Sequence, residues 1–191
     1  MKNIDTHISC ISGKRVKNKS FSSIFIFTIS LIVFANLGFQ SRGQTALPVS
    51  RSSWASTPAG WTDSPLQNYL TAFACSGNDG GKFSATGDYN TVFFNAAPNQ
   101  LSFTVKSNTS ASTSVLLVEE SADGSTWTTV VSLTGTLGLP TSCTPKGPYT
   151  LLSTSRYVKW SFTKGSRNMT WDDVSITVAC SNPVMFLPNK S

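Results

Sequence analysis

The chain has 191 residues, 39% of them hydrophobic, with fifteen basic residues, nine acidic residues and a single histidine. Its formal charge of +6 is concentrated in the first 43 positions, where Lys2, Lys14, Arg15, Lys17, Lys19 and Arg42 lie, so the remainder carries only about +1 and gives no electrostatic case for nucleic acid. His7 lies there too, which leaves the rest without a Ser-His-Asp triad, a Cys-His pair or the commonest zinc ligand.

The basic lead-in is followed by an apolar run from Ile24 to Ala35 and then by Gly38, Ser41 and Gly43. Positive flank, short apolar core and small-residue exit are the parts of a secretory signal. The run is shorter than the ~20 residues of a comfortable membrane span, so residues 1–43 are expected to be cleaved and the rest to insert in no membrane. An uncleaved anchor is the alternative. Cys10 precedes the apolar run, which argues against a lipoprotein. The expected location is secreted, periplasmic or on the cell surface.

About 148 residues remain, one domain by size. Residues 44–65 read as an extended lead-in, 66–180 as a β-sandwich domain and 181–191, with Pro183 and Pro188, as a loosely ordered tail. Strand candidates come in order. Asn68–Cys75 and Tyr89–Phe94 are short β-favouring runs. Leu101, Phe103 and Val105 alternate with Ser102, Thr104 and Lys106. Ser114–Glu120 follows, then Trp127, Thr129, Val131 and Leu133, a pattern that Val130 interrupts. Tyr149–Leu152 is next. Val158, Trp160 and Phe162 alternate with Lys159 and Ser161, and Val174, Ile176 and Val178 with Ser175 and Thr177.

Turn chemistry separates these runs. Asn78-Asp79-Gly80-Gly81, Ala97-Pro98-Asn99 and Lys164-Gly165-Ser166 tolerate tight turns, and Ala122–Ser125 reads as a hairpin in which Gly124 takes the positive φ. No long helical stripe follows residue 43. About eight short strands at this spacing predict an all-β chain, an antiparallel β-sandwich of jelly-roll type.

Several short motifs recur in a familiar order. They are Pro58-Ala59-Gly60-Trp61, Gly81-Lys82-Phe83, Thr86-Gly87-Asp88-Tyr89 and Leu101-Ser102-Phe103, then Val118 to Trp127, Arg156-Tyr157-Val158 and Asp172-Asp173-Val174-Ser175-Ile176. Over residues 47–179 they resemble the galactose-binding-like or concanavalin-like jelly-roll modules of secreted Bacteroidetes proteins. The resemblance implies a non-catalytic accessory module. Such modules sit beside hydrolases or beside a C-terminal sorting domain. This chain stops about a dozen residues past its last strand candidate, so it is expected to stand alone or to be a fragment.

The expected partner is a glycan or a surface protein. Sugar rings stack on exposed aromatic faces. Trp160 and Trp127 share phase with apolar neighbours and read as core, and Trp61 as a plug at one end. Trp54 and Trp171 are the freer candidates, with Tyr89 and Tyr69 as helpers. No cofactor is expected, except a structural calcium at Asp88, Asp172 and Asp173. The competing reading gives these carboxylates to turn amides, because calcium wants six to eight converging oxygens. Glu119-Glu120 and Asp172-Asp173 are poor glycosidase pairs, since neighbours on a strand face opposite ways. Asn108-Thr109-Ser110 and Asn168-Met169-Thr170 match the glycosylation pattern, read here as coincidence. Cys75, Cys143 and Cys180 allow one disulfide in any of three pairings, or three reduced thiols.

Overall fold

A strand whose side chains alternate has one apolar face to hide, and two sheets can hide theirs against each other. The computed structural model of the chain describes residues 43–109 and 113–179. The readings of 1–43 as a signal and of 181–191 as a tail lie outside the described residues, Gly43 apart, as does Cys180.

Among the described residues eleven strands form two antiparallel sheets. They are β1 (Val49–Arg51), β2 (Trp61–Ser64), β3 (Asn68–Leu70), β4 (Asp79–Phe83), β5 (Tyr89–Phe93), β6 (Pro98–Ser107), β7 (Val115–Ser121), β8 (Thr128–Thr134), β9 (Thr144–Thr150), β10 (Tyr157–Thr163) and β11 (Met169–Val178). A single helical turn, α1 (Gly135–Gly138), follows β8. The first sheet runs β3-β4-β11-β6-β9, with β1 also on β11; the second runs β2-β5-β10-β7-β8. The strongest alternations hold. Val158, Trp160 and Phe162 are buried on β10, as are Leu101, Phe103 and Val105 on β6. Gly124 turns the β7–β8 hairpin at φ 75°.

Residues 44–65 are more than a lead-in: they supply β1 to the first sheet and β2 to the second. Three- and four-residue strands show no alternation for a sequence reading to find. Of the stretch 78–81, expected as a turn, residues 79–81 are instead the start of β4. Gly81 makes room for indoles. A Cβ on Gly81 would stand 2.6 Å from Nε1 of Trp171 and 2.9 Å from Cε3 of Trp54.

Trp127 departs from its expected place in the core. The register of β7 and β8 shifts between Val118↔Val131 and Glu119↔Thr129, so Val130 is the extra residue of a bulge. A bulge reverses the phase of everything before it. Trp127 is therefore half-exposed on the outer face, with Lys159 Nζ 4.1 Å from its ring centroid.

A second irregularity lies on β11. β4 pairs with Met169–Trp171 and β1 with Val174–Ile176, leaving Asp172 and Asp173 without a strand partner on that edge. Opposite β6 the register also shifts here, and Asp173 has φ 49°. The fully buried Asp172 carboxylate closes the gap, accepting bonds from Trp54 Nε1 (3.0 Å) and from the N–H groups of Cys75 (3.1 Å), Ser76 (3.1 Å) and Asp173 (2.9 Å). Burial pushes its pKa up, and the bonds from Trp54, Ser76 and Asp173 hold it partly back. The disulfide Cys75–Cys143 fastens the same β3–β4 loop to the start of β9.

The core centres on four buried indoles, those of Trp54, Trp61, Trp160 and Trp171. Trp160 lies 4.6 Å from Trp171, and Trp171 lies 4.3 Å from Trp54. Arg51 on β1 enters this cluster, its guanidinium 3.8 Å from the Trp54 ring and 4.8 Å from the Trp61 ring. It donates to both oxygens of Asp63 on β2, at 2.8 Å each, and to the carbonyls of Ser53 and Ser56. Asp63 also accepts from Thr57 Oγ1 and Asn90 Nδ2. Burial would raise the Asp63 pKa, but Arg51, Thr57 and Asn90 outweigh it and hold the carboxyl below its ordinary value.

Breaking a buried pair from one side leaves the other charge uncompensated, so Asp63→Ala should cost about 3–5 kcal/mol in urea unfolding. A lowered native pKa gives stability that is full above the unfolded value of ~3.9 and fades as pH falls through the native one. Asp172, shifted upward, acts in the opposite sense. Wild type should therefore lose stability below about pH 4 more steeply than Asp63→Asn, and parallel curves would contradict the assignment. Gly81→Ala should lose about 1–3 kcal/mol through overpacking against Trp171 and Trp54. Cys143→Ser, which opens a 68-residue separation, should lose about 4 kcal/mol on the loop-entropy scale.

Candidate functional site

The structure disperses the residues expected to bind ligand. Trp54 and Trp171 are 1% and 0% exposed, so neither offers a ring face to a sugar, and that expectation is corrected. The cause is the close approach that Gly81 permits and the bond that Trp54 Nε1 gives to Asp172. Tyr69, half-buried on β3, lies 5.1 Å from Phe73, and its Oη accepts a bond from Asn108 Nδ2 at 2.9 Å. Tyr89 is 36% exposed on β5, in the other sheet.

The carboxylates considered for calcium do not converge. Asp88 Oδ2 accepts the N–H groups of Ser84 (2.7 Å) and Ala85 (2.9 Å), while Asp173 accepts the Ser76 hydroxyl. Asp172 is surrounded by N–H donors, which aim protons at the lone pairs a cation would need. No group of three His, Cys, Asp or Glu placed to hold a metal occurs among the described residues. These residues do not fit a calcium ion.

A different set does converge. A cleft of about 470 Å³ opens beside edge strand β3, lined by Ser52, Ser53, Asn68, Leu70, Asn78 and Asp79, with Ala55 and Gly77 completing it. Three segments build it: the chain leaving β1, the strand β3, and the turn into β4, where Gly77 takes φ 58°. Asp79, 8% exposed, ties them together. Its Oδ2 accepts the Trp54 N–H at 2.9 Å and Asn68 Nδ2 at 3.3 Å. No donor among the described residues reaches Oδ1. The wall between 71 and 78 is held by the disulfide and by the two amides bound to Asp172, so the cleft is formed in advance of any ligand.

Chemically the lining offers a carboxylate, two carboxamides and two hydroxyls beside Leu70, which is 72% exposed. Such a lining can accept from and donate to neighbouring hydroxyls while an apolar group meets C–H surface. Glycosidic hydrolysis uses two facing carboxylates, and Asp79 is the cleft's single one. Glu119 and Glu120 do face opposite ways: Glu119 pairs with Lys159 at 2.8 Å, and Glu120 is buried. Sequence reasoning took Asp79 as a loop carboxylate and did not join it to Asn68, because the Asn-Asp-Gly-Gly stretch reads as a turn. The available signal was that a strand facing buried tryptophans needs glycines.

No protein-family model matches the chain, and no curated protein is similar to it in sequence. Solved structures are similar. The K2 cleaved adhesin domain of Lys-gingipain superposes with TM-score 0.54 at 14% identity, over 68% of this chain and 99% of that one. The K1 cleaved adhesin domain of Lys-gingipain from Porphyromonas gingivalis W83 gives 0.52 at 17% identity, over 69% and 98%. A family 22 carbohydrate binding module of Clostridium thermocellum Xyn10B is also matched, with TM-score 0.47 at 15% identity over 68% and 92%. At these identities the likeness to the adhesin domains is one of fold, and in fold this chain is a jelly-roll β-sandwich similar to them.

Proposed function

We propose that this chain is a secreted, non-catalytic binding or adhesion module that recognises carbohydrate at the cleft beside β3. The observation that carries the reading is Asp79: a carboxylate 8% exposed, with Oδ2 bonded to the protein, that lines a ready-made polar cleft. A carboxylate and a carboxamide side by side can engage adjacent hydroxyls of a sugar, and Leu70 can lie against its ring. Similarity of fold to adhesin domains is in keeping with this role. The rival reading is a protein-interaction or structural domain. It rests on the apolar surface near the same strand, where Leu66, Leu70 and Phe73 are 42%, 72% and 38% exposed.

The full chain, screened on a glycan array and then titrated by calorimetry, should bind a glycan saturably. Asn78→Ala and Leu70→Ala alter exposed side chains and should each weaken binding at least about tenfold, the scale of ~1.4 kcal/mol. Asp79→Asn should abolish it, and Trp127→Ala, just before β8 of the other sheet, should leave it unchanged. A folded chain that binds no glycan would overturn the carbohydrate reading in favour of the protein-interaction one. EDTA should change neither the affinity nor the melting temperature, whereas a loss restored by calcium would contradict the donor geometry at Asp172.

A further inference from the structure

We propose a second recognition site, for a primary ammonium group, in the cavity at Glu120. It shares no lining residue with the Asp79 cleft and does not depend on the carbohydrate reading of that cleft. Glu120 lies on the inward phase of β7 with Leu116 and Val118, and is 6% exposed. It pairs in register with Val158 on β10 and Thr128 on β8. Its Oε2 accepts the Leu152 N–H at 2.9 Å and the Ser155 hydroxyl at 2.7 Å. Both donors are neutral. Among the described residues no donor reaches Oε1 and no cation pairs with this carboxylate.

The cation nearest in sequence to these donors, Arg156, is turned to other work. Its guanidinium donates to the carbonyls of Ser153 (3.0 Å) and Ser155 (2.6 Å). Lys159 pairs with Glu119 on the outer face. A buried carboxylate with no counter-charge is costly to keep, and here it borders a cavity of about 170 Å³. Asp123, Thr126, Thr128, Thr154 and Leu152 line that cavity with it, and no Lys, Arg or His does.

The lining selects the ligand by charge. A neutral hydroxyl would satisfy the hydrogen bond at Oε1 and leave the charge uncompensated. An ammonium group supplies both, with three donors for Glu120 and the threonine oxygens. Leu152, 55% exposed, can meet the carbon skeleton that carries it. Calcium fits less well, because it wants six to eight oxygens and Asp123 Oδ1 already accepts from Ser121 Oγ, Ser125 N–H and Thr126 N–H.

The test compares two probes that differ in one group. Glucosamine, at a pH where its amine is protonated, and glucose are titrated into the full chain while the backbone amides of Leu152 and Ser155 are followed by NMR. Glucosamine should shift both amides saturably, and glucose should not. Glu120→Gln keeps a carbonyl oxygen for Leu152 and Ser155 and should weaken glucosamine at least tenfold. Thr154→Lys places an ammonium in the chain at an exposed loop position and should abolish the response with the fold intact. Equal shifts from glucose, the same shifts from calcium alone, or no shift from glucosamine in wild type would each overturn the proposal.

Discussion

The structure depends on one buried contact that crosses it: Arg51 of the first sheet held by Asp63 of the second, with its guanidinium packed against Trp54 and Trp61. A guanidinium inside an apolar core is tolerable only if its donors are satisfied, and here each nitrogen has an acceptor. Satisfying them fixes two very short strands, β1 and β2, on opposite layers. With β1 in place the next residues must deliver Trp54 inward, and Trp54 in turn requires Gly81 opposite and Asp172 at its Nε1. Strand order, glycine placement and the break on the edge of β11 are thus parts of one solution.

That solution moves recognition away from the tryptophans. Four of the five indoles are committed to the core, and Trp127 is covered on one side by Lys159. In the proposed reading a ligand meets carboxylates at the margins of the sandwich, where strands end and loops turn. Asp79 and Glu120 share a construction: one oxygen is bonded to the protein, and the residue lines a cavity. Each is held rigidly by the bonds it already makes, which lowers the cost of ordering on binding.

The layers were readable where one face of a strand is buried over five or more residues, as on β6 and β10. The β7–β8 hairpin was readable from Asp123-Gly124, and the opposed directions of Glu119 and Glu120 from the pleat alone. Val130 was visible as a break in alternation, but its consequence, Trp127 on the outer face, needed the pairing register. Arg51 and Asp63 were hidden because an ion pair between two short strands leaves no periodic trace. Trp54 and Trp171 looked free for a related reason: their burial depends on glycines that read as a turn. Of the site, Asp79 was visible only as a turn aspartate. Its role comes from Asn68 and the Trp54 amide, and their convergence is a property of topology.

The central claim is that the indoles build the fold while ligands meet the margins. It is tested most directly by NMR of the full chain during titration with a glycan selected on the array, following indole and backbone N–H signals together. The account predicts slow hydrogen exchange and no ligand shift for the indole N–H of Trp54, with shifts confined to backbone amides over 52–55, 68–70 and 77–79. A fast-exchanging Trp54 indole, or the largest ligand shift at Trp54 or Trp171, would contradict it.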